Sequence, residues 1–355
     1  MNALKEIVLR LIREDGPITL AQYMNYALAH PAHGYYATRD PLGRDFITAP
    51  EVSQIFGELI GLFFVQAWED RGSPARFHLV ELGPGRGTLM ADMLRAARLR
   101  PAFLEAARVT LVETSPVLRG VQERNVKHAG VAWASNIEDV PADAPLFAVA
   151  NEFLDALPIR QFEMVGGVWH ERMVGAEGDD LHIVLRPQPI PFDGAPREAP
   201  QGAVLEMSAA ALGTVANLAG RIAEQGGVGL IVDYGHAQSG FGDTFQAMKA
   251  NRYADPFAEP GDADLTAHVD FAALSKAATD AQGQVFGPTP QGSFLSLLGI
   301  HTRAEQLKRA TPDKAAEIDS GVDRLINPEQ MGILFKVMAI SDGHMCQPEG
   351  FVCSS

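Results

Sequence analysis

The chain has 355 residues, 46% of them hydrophobic, with 44 acidic against 29 basic side chains and a formal net charge of -15. That balance disfavours nucleic acid as a partner, because phosphate binding draws on clustered basic surface, and it suits a cationic ligand or a basic segment of another protein. Two cysteines, Cys346 and Cys353, both in a Gly/Ser/Pro-bearing tail, exclude a disulfide framework and a zinc-ligand pattern and point to a reducing compartment.

The N-terminus, "MNALKEIVLRLIREDGP", has no apolar core region and no small-residue cleavage site, so it reads as a folded helix rather than a targeting segment. Helices are expected over Leu4–Ile12 and Leu20–Ala29 and in a longer segment opening at "TAPEVSQIFGELIGLFF". There Thr48 and Glu51 have capping-box spacing and Pro50 lies in the first turn. The aromatic, turn-rich stretch "HPAHGYYATRDPLGRDF" between them is expected as a functional loop. The longest apolar runs, such as Leu59–Val65, are too short to span a bilayer, and a cytoplasmic protein is expected.

From residue 77 strands and helices alternate: "FHLVEL", the helix Leu89–Leu99, "VTLVE", the helix Pro116–Lys127, "VAWAS" and "PLFAVA". Apolar strands separated by helices predict a parallel sheet covered on both faces. Period-two alternation over 159–186 around Gly166-Gly167 predicts an added hairpin with a following strand. Then come a Pro-rich link, the helix Met207–Gln225, the strand "VGLIVDYG" and a polar Gly/Pro-containing segment, 236–268, read as a surface loop or lid. The helix Phe271–Ala281, helices near 291–310 and 313–325, and the strand "ILFKVMAIS" complete the chain.

This predicts an α/β, doubly wound and mostly parallel fold. Its parts are an N-terminal helical region with a covering loop (1–75), a core in two stretches (76–155 and 205–340), an inserted hairpin and Pro-rich linker (156–204), the lid-like loop and a tail (341–355).

Chemistry concentrates at strand ends. In "LVELGPGRGTLM" a strand ends at Glu81, Gly83, Gly85 and Gly87 form the turn, and Thr88 opens a helix, so that backbone and helix N–H groups face a ligand lying on the loop. A dinucleotide fingerprint would need Gly at position 88. A Gly-x-Gly-x-Gly with an acid two residues before it is instead similar to the first motif of S-adenosylmethionine-dependent methyltransferases, where Glu81 would face a cationic cofactor and repel a pyrophosphate.

Glu113, 26 residues after Gly87, ends the second strand and is placed to accept from ribose hydroxyls. Asn136 follows the third strand, where it could meet an adenine edge. The fourth strand runs into Asn151, Glu152 and Asp155 in "VANEFLDALPIRQF". Two carboxylates there suit a guanidinium, which presents a planar fork of donors. The alternatives are that Asp155 caps the following turn and Glu152 pairs with Arg160. Asp233, Tyr234 and His236 end the fifth strand and are expected to point into the same crevice, with Asp264, His268 and Asp270 beyond, but their spacing matches no metal-ligand pattern and no metal is expected.

"HPAHGYY", "DFITAPEVSQIFGELIG", "LVELGPGRGTLMADMLR", "VANEFLDALPIRQF", "LIVDYG", "DLTAHVDF", "FLSLLGI" and "MGILFKVMA", in this order over nearly the whole chain, resemble the MidA-like methyltransferases, whose mitochondrial members act as assembly factors for respiratory complex I. The resemblance implies a class I methyltransferase sheet, S-adenosyl-L-methionine as cofactor, and symmetric dimethylation of a protein arginine on a complex I subunit. It also implies Gly83, Gly85 and Gly87 as cofactor glycines, Glu113 as the ribose acid, and Asn151, Glu152 and Asp155 as the fourth-strand signature. Departures are Asn136, where some relatives carry Asp, and Arg44, where Gly is expected before Asp45. Without a transit peptide the chain is expected to be a bacterial member. A non-catalytic assembly chaperone and a methyltransferase for small molecules or oxygen nucleophiles are the other readings; oligomeric state is left open, with a homodimer among the options.

Overall fold

The computed structural model describes residues 2–38, 47–189, 196, 198–344 and 347–352; Arg44, Asp45, Cys346 and Cys353 lie outside the described residues. The chain divides into two units, residues 1–46, 155–212 and 239–268 in one, and 47–154, 213–238 and 269–355 in the other.

The second unit carries an open twisted sheet. Its main strands are β1 (Phe77–Leu82), β2 (Ala107–Val112), β3 (Ala132–Ala134), β4 (Leu146–Asn151), β5 (Gly227–His236), β6 (Gln284–Pro290) and β7 (Phe335–Ser341), and the two-residue strand Val269–Asp270 pairs in parallel with the end of β5. Their order in the sheet is β3-β2-β1-β4-β5-β7-β6. The five strands from β3 to β5 run parallel, and β7 lies antiparallel between β5 and β6. β1 and β4 consist entirely of buried residues, as the uninterrupted runs "FHLVEL" and "LFAVAN" require of strands covered on both faces. Phe77, Leu79, Phe147 and Val149 share one core with Phe56, Leu59, Phe63 and Phe64 of the helix Gln54–Asp70 and with Leu89, Met90 and Met93 of the helix Thr88–Ala96. Strand order reverses between β1 and β4, whose ends are held in register by the pairs Glu81–Val149 and Leu82–Ala150. Ligands of such sheets sit outside the carboxyl ends of the strands at that reversal.

The first unit packs the helices Ala3–Asp15 and Leu20–Ala29 on an antiparallel sheet built around Arg160–Val165, Val168–Glu177 and Asp180–Leu185, the hairpin and following strand predicted from the alternation. Val8, Leu9, Tyr23, Met24, Val174 and Leu265 form its core. Thr19 and Gln22 close a reciprocal capping box at the second helix.

Four local expectations differ from the structure. Thr48 makes no side-chain cap, and the helix expected to run on from it is interrupted at the extended Ser53, whose hydroxyl oxygen accepts from the Ile55 N–H and caps the helix Gln54–Asp70 instead. Met207 belongs to a strand, Val204–Met207, and the helix begins at Ala209. β6 was not expected, because Gly287 and Pro288 interrupt its pattern. Residues 236–268 carry three short strands, Gln246–Lys249, Arg252–Ala254 and Asp264–Thr266, paired with one another; strands of three or four residues hold too few alternations to stand out among turn formers. Among the described residues no helix is long and apolar enough to cross a membrane.

Candidate functional site at the ends of β1 and β4

After Leu82 the chain turns through Gly83, Gly85 and Gly87 with φ of 63°, 51° and 79°, left-handed values that L side chains rarely adopt. The protein itself requires two of these glycines. A Cβ on Gly83 would lie 2.5 Å from Phe153 Cδ2, and one on Gly87 would lie 2.7 Å from Val126 Cγ2. The Gly83 N–H donates to Val112 O, tying the loop to the end of β2. Gly87 leads into the helix Thr88–Ala96. The Thr88 hydroxyl donates to Glu51 Oε1 at 2.6 Å, so Glu51 serves this contact and not a capping box.

Glu81 is 3% exposed. Burial pushes its carboxyl well above the usual range; the Met90 N–H donating to it works against this, and the charge of Glu113 adds to it. Its Oε2 is buried with no hydrogen-bond partner among the described residues, and an orphaned buried acceptor costs about 1–3 kcal/mol. Glu113, just past β2, accepts from the Ser115 N–H at 2.7 Å and the Gln122 amide at 3.2 Å, and burial is the main cause of its raised pKa.

Gln122 is fully buried and donates to Gly85 O at 2.7 Å, while its own oxygen accepts from Trp133 Nε1 at 2.8 Å. It joins the glycine loop to Glu113 and was missed in the sequence, where a glutamine inside a helical stretch carries no signal. Asn136 stands exposed at the start of the 3-10 turn Ile137–Asp139, its backbone N–H donating to Asp139 Oδ2 at 3.0 Å.

At the end of β4, Asn151 is 8% exposed and Glu152 adopts a left-handed φ of 49°, a conformation costing about 1–2 kcal/mol for a residue with a Cβ. Glu152 Oε1 accepts from the Ala49 N–H at 2.7 Å and from Asn151 Nδ2 at 3.2 Å. Asn151 Oδ1 is buried and unpartnered among the described residues. Asp233 at the end of β5 is fully buried, and its carboxylate accepts from the N–H groups of Phe153, Leu154 and Tyr234. It therefore ties the ends of β4 and β5 together through their backbone.

Asp155 belongs to the other unit. It is 7% exposed, its backbone oxygen accepts from the Ala267 N–H, and its charge, after burial and Asp264, helps raise the Tyr36 phenol. The Tyr36 hydroxyl donates to Asp264 Oδ1 at 2.6 Å. Residues 155–157 form a turn with no helix directly after it, and Arg160 pairs with Glu171 at 2.6 Å. His236 lies 3.8 Å from Asp270, which caps the helix Phe271–Asp280, and the His268 N–H donates to Thr244 Oγ1. Among the described residues no group of three His, Cys, Asp or Glu is placed to hold a metal ion.

A family model described as "Putative S-adenosyl-L-methionine-dependent methyltransferase" matches residues 59–289. The protein arginine methyltransferase NDUFAF7 homolog, mitochondrial, of Drosophila melanogaster is 39% identical, the alignment covering 94% of this chain and 83% of the relative. The protein arginine methyltransferase NDUFAF7, mitochondrial, of Homo sapiens is 37% identical over 93% of this chain and 81% of its own. The crystal structure of a COG1565 superfamily member from Burkholderia thailandensis, bound to S-adenosyl-homocysteine, matches with a TM-score of 0.83 at 26% identity, covering 98% of this chain and 94% of that one.

The residues present fit such a cofactor. Glu81 Oε2 is a buried acceptor with no donor among the described residues, at a loop of left-handed glycines, and Glu113 stands one strand away with a second carboxylate. Its sequence, its sheet and this acidic cradle agree that the chain belongs to the family of S-adenosyl-L-methionine-dependent methyltransferases.

Proposed function

We propose that the chain methylates arginine side chains of a protein, using Glu152 at the end of β4 to receive the guanidinium, with symmetric dimethylarginine on a respiratory complex I subunit as product. The observation that carries this reading is Glu152 itself. A carboxylate held in a left-handed backbone at the strand-order reversal, beside the glycine loop, is strain kept where a substrate would be handled. Relatives at 37–39% identity carry the name protein arginine methyltransferase, which supports the same acceptor.

Gly83, Gly85 and Gly87 would hold the cofactor through their backbone, Glu81 its cationic amino-acid end and Glu113 its ribose. Thr88 keeps its hydroxyl on Glu51, and Asn136 is exposed and engaged in its turn, so neither is assigned a cofactor contact. When bound, S-adenosyl-L-methionine supplies an electrophilic methyl group on a sulfonium. Glu152 would accept guanidinium N–H bonds, hold one nitrogen ready to attack the methyl group, and take up the proton that this nitrogen releases as its N–C bond forms and the sulfonium's S–C bond breaks, the electron pair staying on sulfur as S-adenosylhomocysteine leaves. Positioning of this kind supplies much of the rate in a displacement. Asn151, donating to Glu152 Oε1, orients that carboxylate. Asp155, with Tyr36 and Asp264, is proposed as a further carboxylate for the basic segment.

The protein should be incubated with methyl-labelled cofactor and a lysate lacking the endogenous enzyme, and the labelled polypeptide and residue identified. Label on an arginine of a complex I subunit is expected; label on lysine or on a metabolite refutes the acceptor. Glu152→Gln retains an oxygen for the Ala49 N–H and should keep S-adenosylhomocysteine affinity while methyl incorporation falls on the order of 10²-fold. Unchanged incorporation would return Glu152 to a purely structural role.

A further inference from the structure

We propose that Asp233 is a positioning residue for methyl transfer: it holds the left-handed turn at Glu152 and so aims the Glu152 carboxylate. The inference rests on the reading of Glu152 as the acceptor-handling group. Three consecutive amides, those of Glu152, Phe153 and Leu154, all end on the neighbouring strand. The Glu152 N–H donates to Val232 O at 2.8 Å, and the Phe153 and Leu154 N–H groups donate to Asp233 Oδ2 at 3.2 and 2.9 Å. The other oxygen, Oδ1, accepts from the Tyr234 N–H at 2.9 Å, which locks the carboxylate's own orientation.

β4 and β5 are paired in parallel up to Asn151–Val232. Beyond that pair, where the ladder would stop, one side chain replaces the missing strand as acceptor. A charged acceptor binds amides more strongly than a carbonyl does, and no part of Asp233 is exposed for water to compete. A β4 end free of these bonds would relax out of the left-handed region, because a residue with a Cβ stays there only when its surroundings over-determine it. The carboxylate of Glu152 would then leave the Ala49 and Asn151 donors that define its place. The carboxylate of Asp233 accepts from three backbone amides, and through them it acts on Glu152.

The test uses the full chain. Asp233→Ala is compared with Asp233→Asn, which keeps one oxygen for the Phe153 and Leu154 amides, alone and in a Glu152→Gln background. Readouts are S-adenosylhomocysteine affinity by calorimetry, methyl incorporation into the deficient lysate, and amide hydrogen exchange of a peptide covering Val149–Ala156. The expected result for Asp233→Ala is cofactor affinity within about threefold of the parent and incorporation lower on the order of 10²-fold, the scale of a displaced catalytic group. Fast exchange should be confined to that peptide. Asp233→Asn should recover most of the rate, and Asp233→Ala should cost almost nothing further once Glu152 is Gln.

A parent-like rate in Asp233→Ala, a full multiplicative loss on top of Glu152→Gln, or an equal fall in cofactor affinity overturns the proposal. If Glu152→Gln alone leaves the rate unchanged, it is the reading of Glu152 that fails, whatever Asp233 does. Should Asp233→Ala not fold, Asp233→Ser, with one short acceptor, is judged by the same criteria.

Discussion

Gly83 is the position where the glycine loop of β1 and the turn of β4 meet, and replacing it with alanine tests both. Two terms add. Its φ of 63° costs an alanine about 1–2 kcal/mol, since a Cβ crowds the carbonyl in the left-handed region. The new Cβ would also stand 2.5 Å from Phe153 Cδ2, too close for any carbon pair, so the ring one residue past Glu152 must move; overpacking of this kind costs about 1–3 kcal/mol. Gly130 is the control, with φ of 75° and open space around the position of its Cβ, so Gly130→Ala should show the conformational term alone.

In urea unfolding, Gly83→Ala should therefore lose about 2–5 kcal/mol and Gly130→Ala about 1–2 kcal/mol. Because Phe153 is displaced, S-adenosylhomocysteine affinity and methyl incorporation should both fall for Gly83→Ala and stay parental for Gly130→Ala. Pairing Gly83→Ala with Phe153→Ala removes the clash and should return a favourable coupling of about 1–3 kcal/mol. Equal effects at the two glycines, or no coupling with Phe153, would refute the packing argument.

Two pH dependences follow from buried carboxyls. Burial raises the Glu81 pKa in the folded chain, so its neutral form contributes stability that is fully present below the unfolded carboxylate pKa and lost as pH rises through the raised value. A cationic cofactor selects the ionised form. Cofactor affinity measured by calorimetry over about pH 5–9 should rise with pH and release protons, and Glu81→Gln should flatten that rise; an equally steep Glu81→Gln profile would remove Glu81 from the site. Asp92, beside Arg95, is raised to about 6 chiefly by burial. Its contribution is complete below about pH 4 and is lost as pH rises through about 6. Asp92→Asn should flatten the stability profile of urea unfolding across that window, and an unchanged slope would mean that another group titrates there.

The glycine loop, Glu113 and the Asn151-Glu152 pair were legible because each sits where a hydrophobic run stops and a polar residue has a chemical reason to be. Asp233 was visible as a strand-end acid, but its direction was not. Whether such a side chain faces a crevice or folds back onto amides depends on the neighbouring strand's end, which no local pattern encodes. Gln122 was invisible because its importance lies in three partners far apart in the chain. The three-residue spacing from Glu152 to Asp155 gives no sign that the chain passes from one unit to the other at Asp155. Spacing is a guide to shared faces only while the backbone stays in one element.

The division of the chain also governs how it is made. The N-terminal piece of the first unit ends at residue 46, and its remaining pieces come from 155–212 and 239–268. Val8, Leu9, Tyr23 and Met24 are synthesised early, whereas Val174 and Leu265, with which they form one core, emerge much later. At ribosomal rates the stretch from residue 46 to residue 268 takes roughly 10–45 s to translate. For that interval the amphipathic N-terminal helices lack the later strands of their core, so nascent chains should depend on chaperones that cover apolar surface, and synonymous codons that slow translation between these segments should lower soluble yield without altering a single residue.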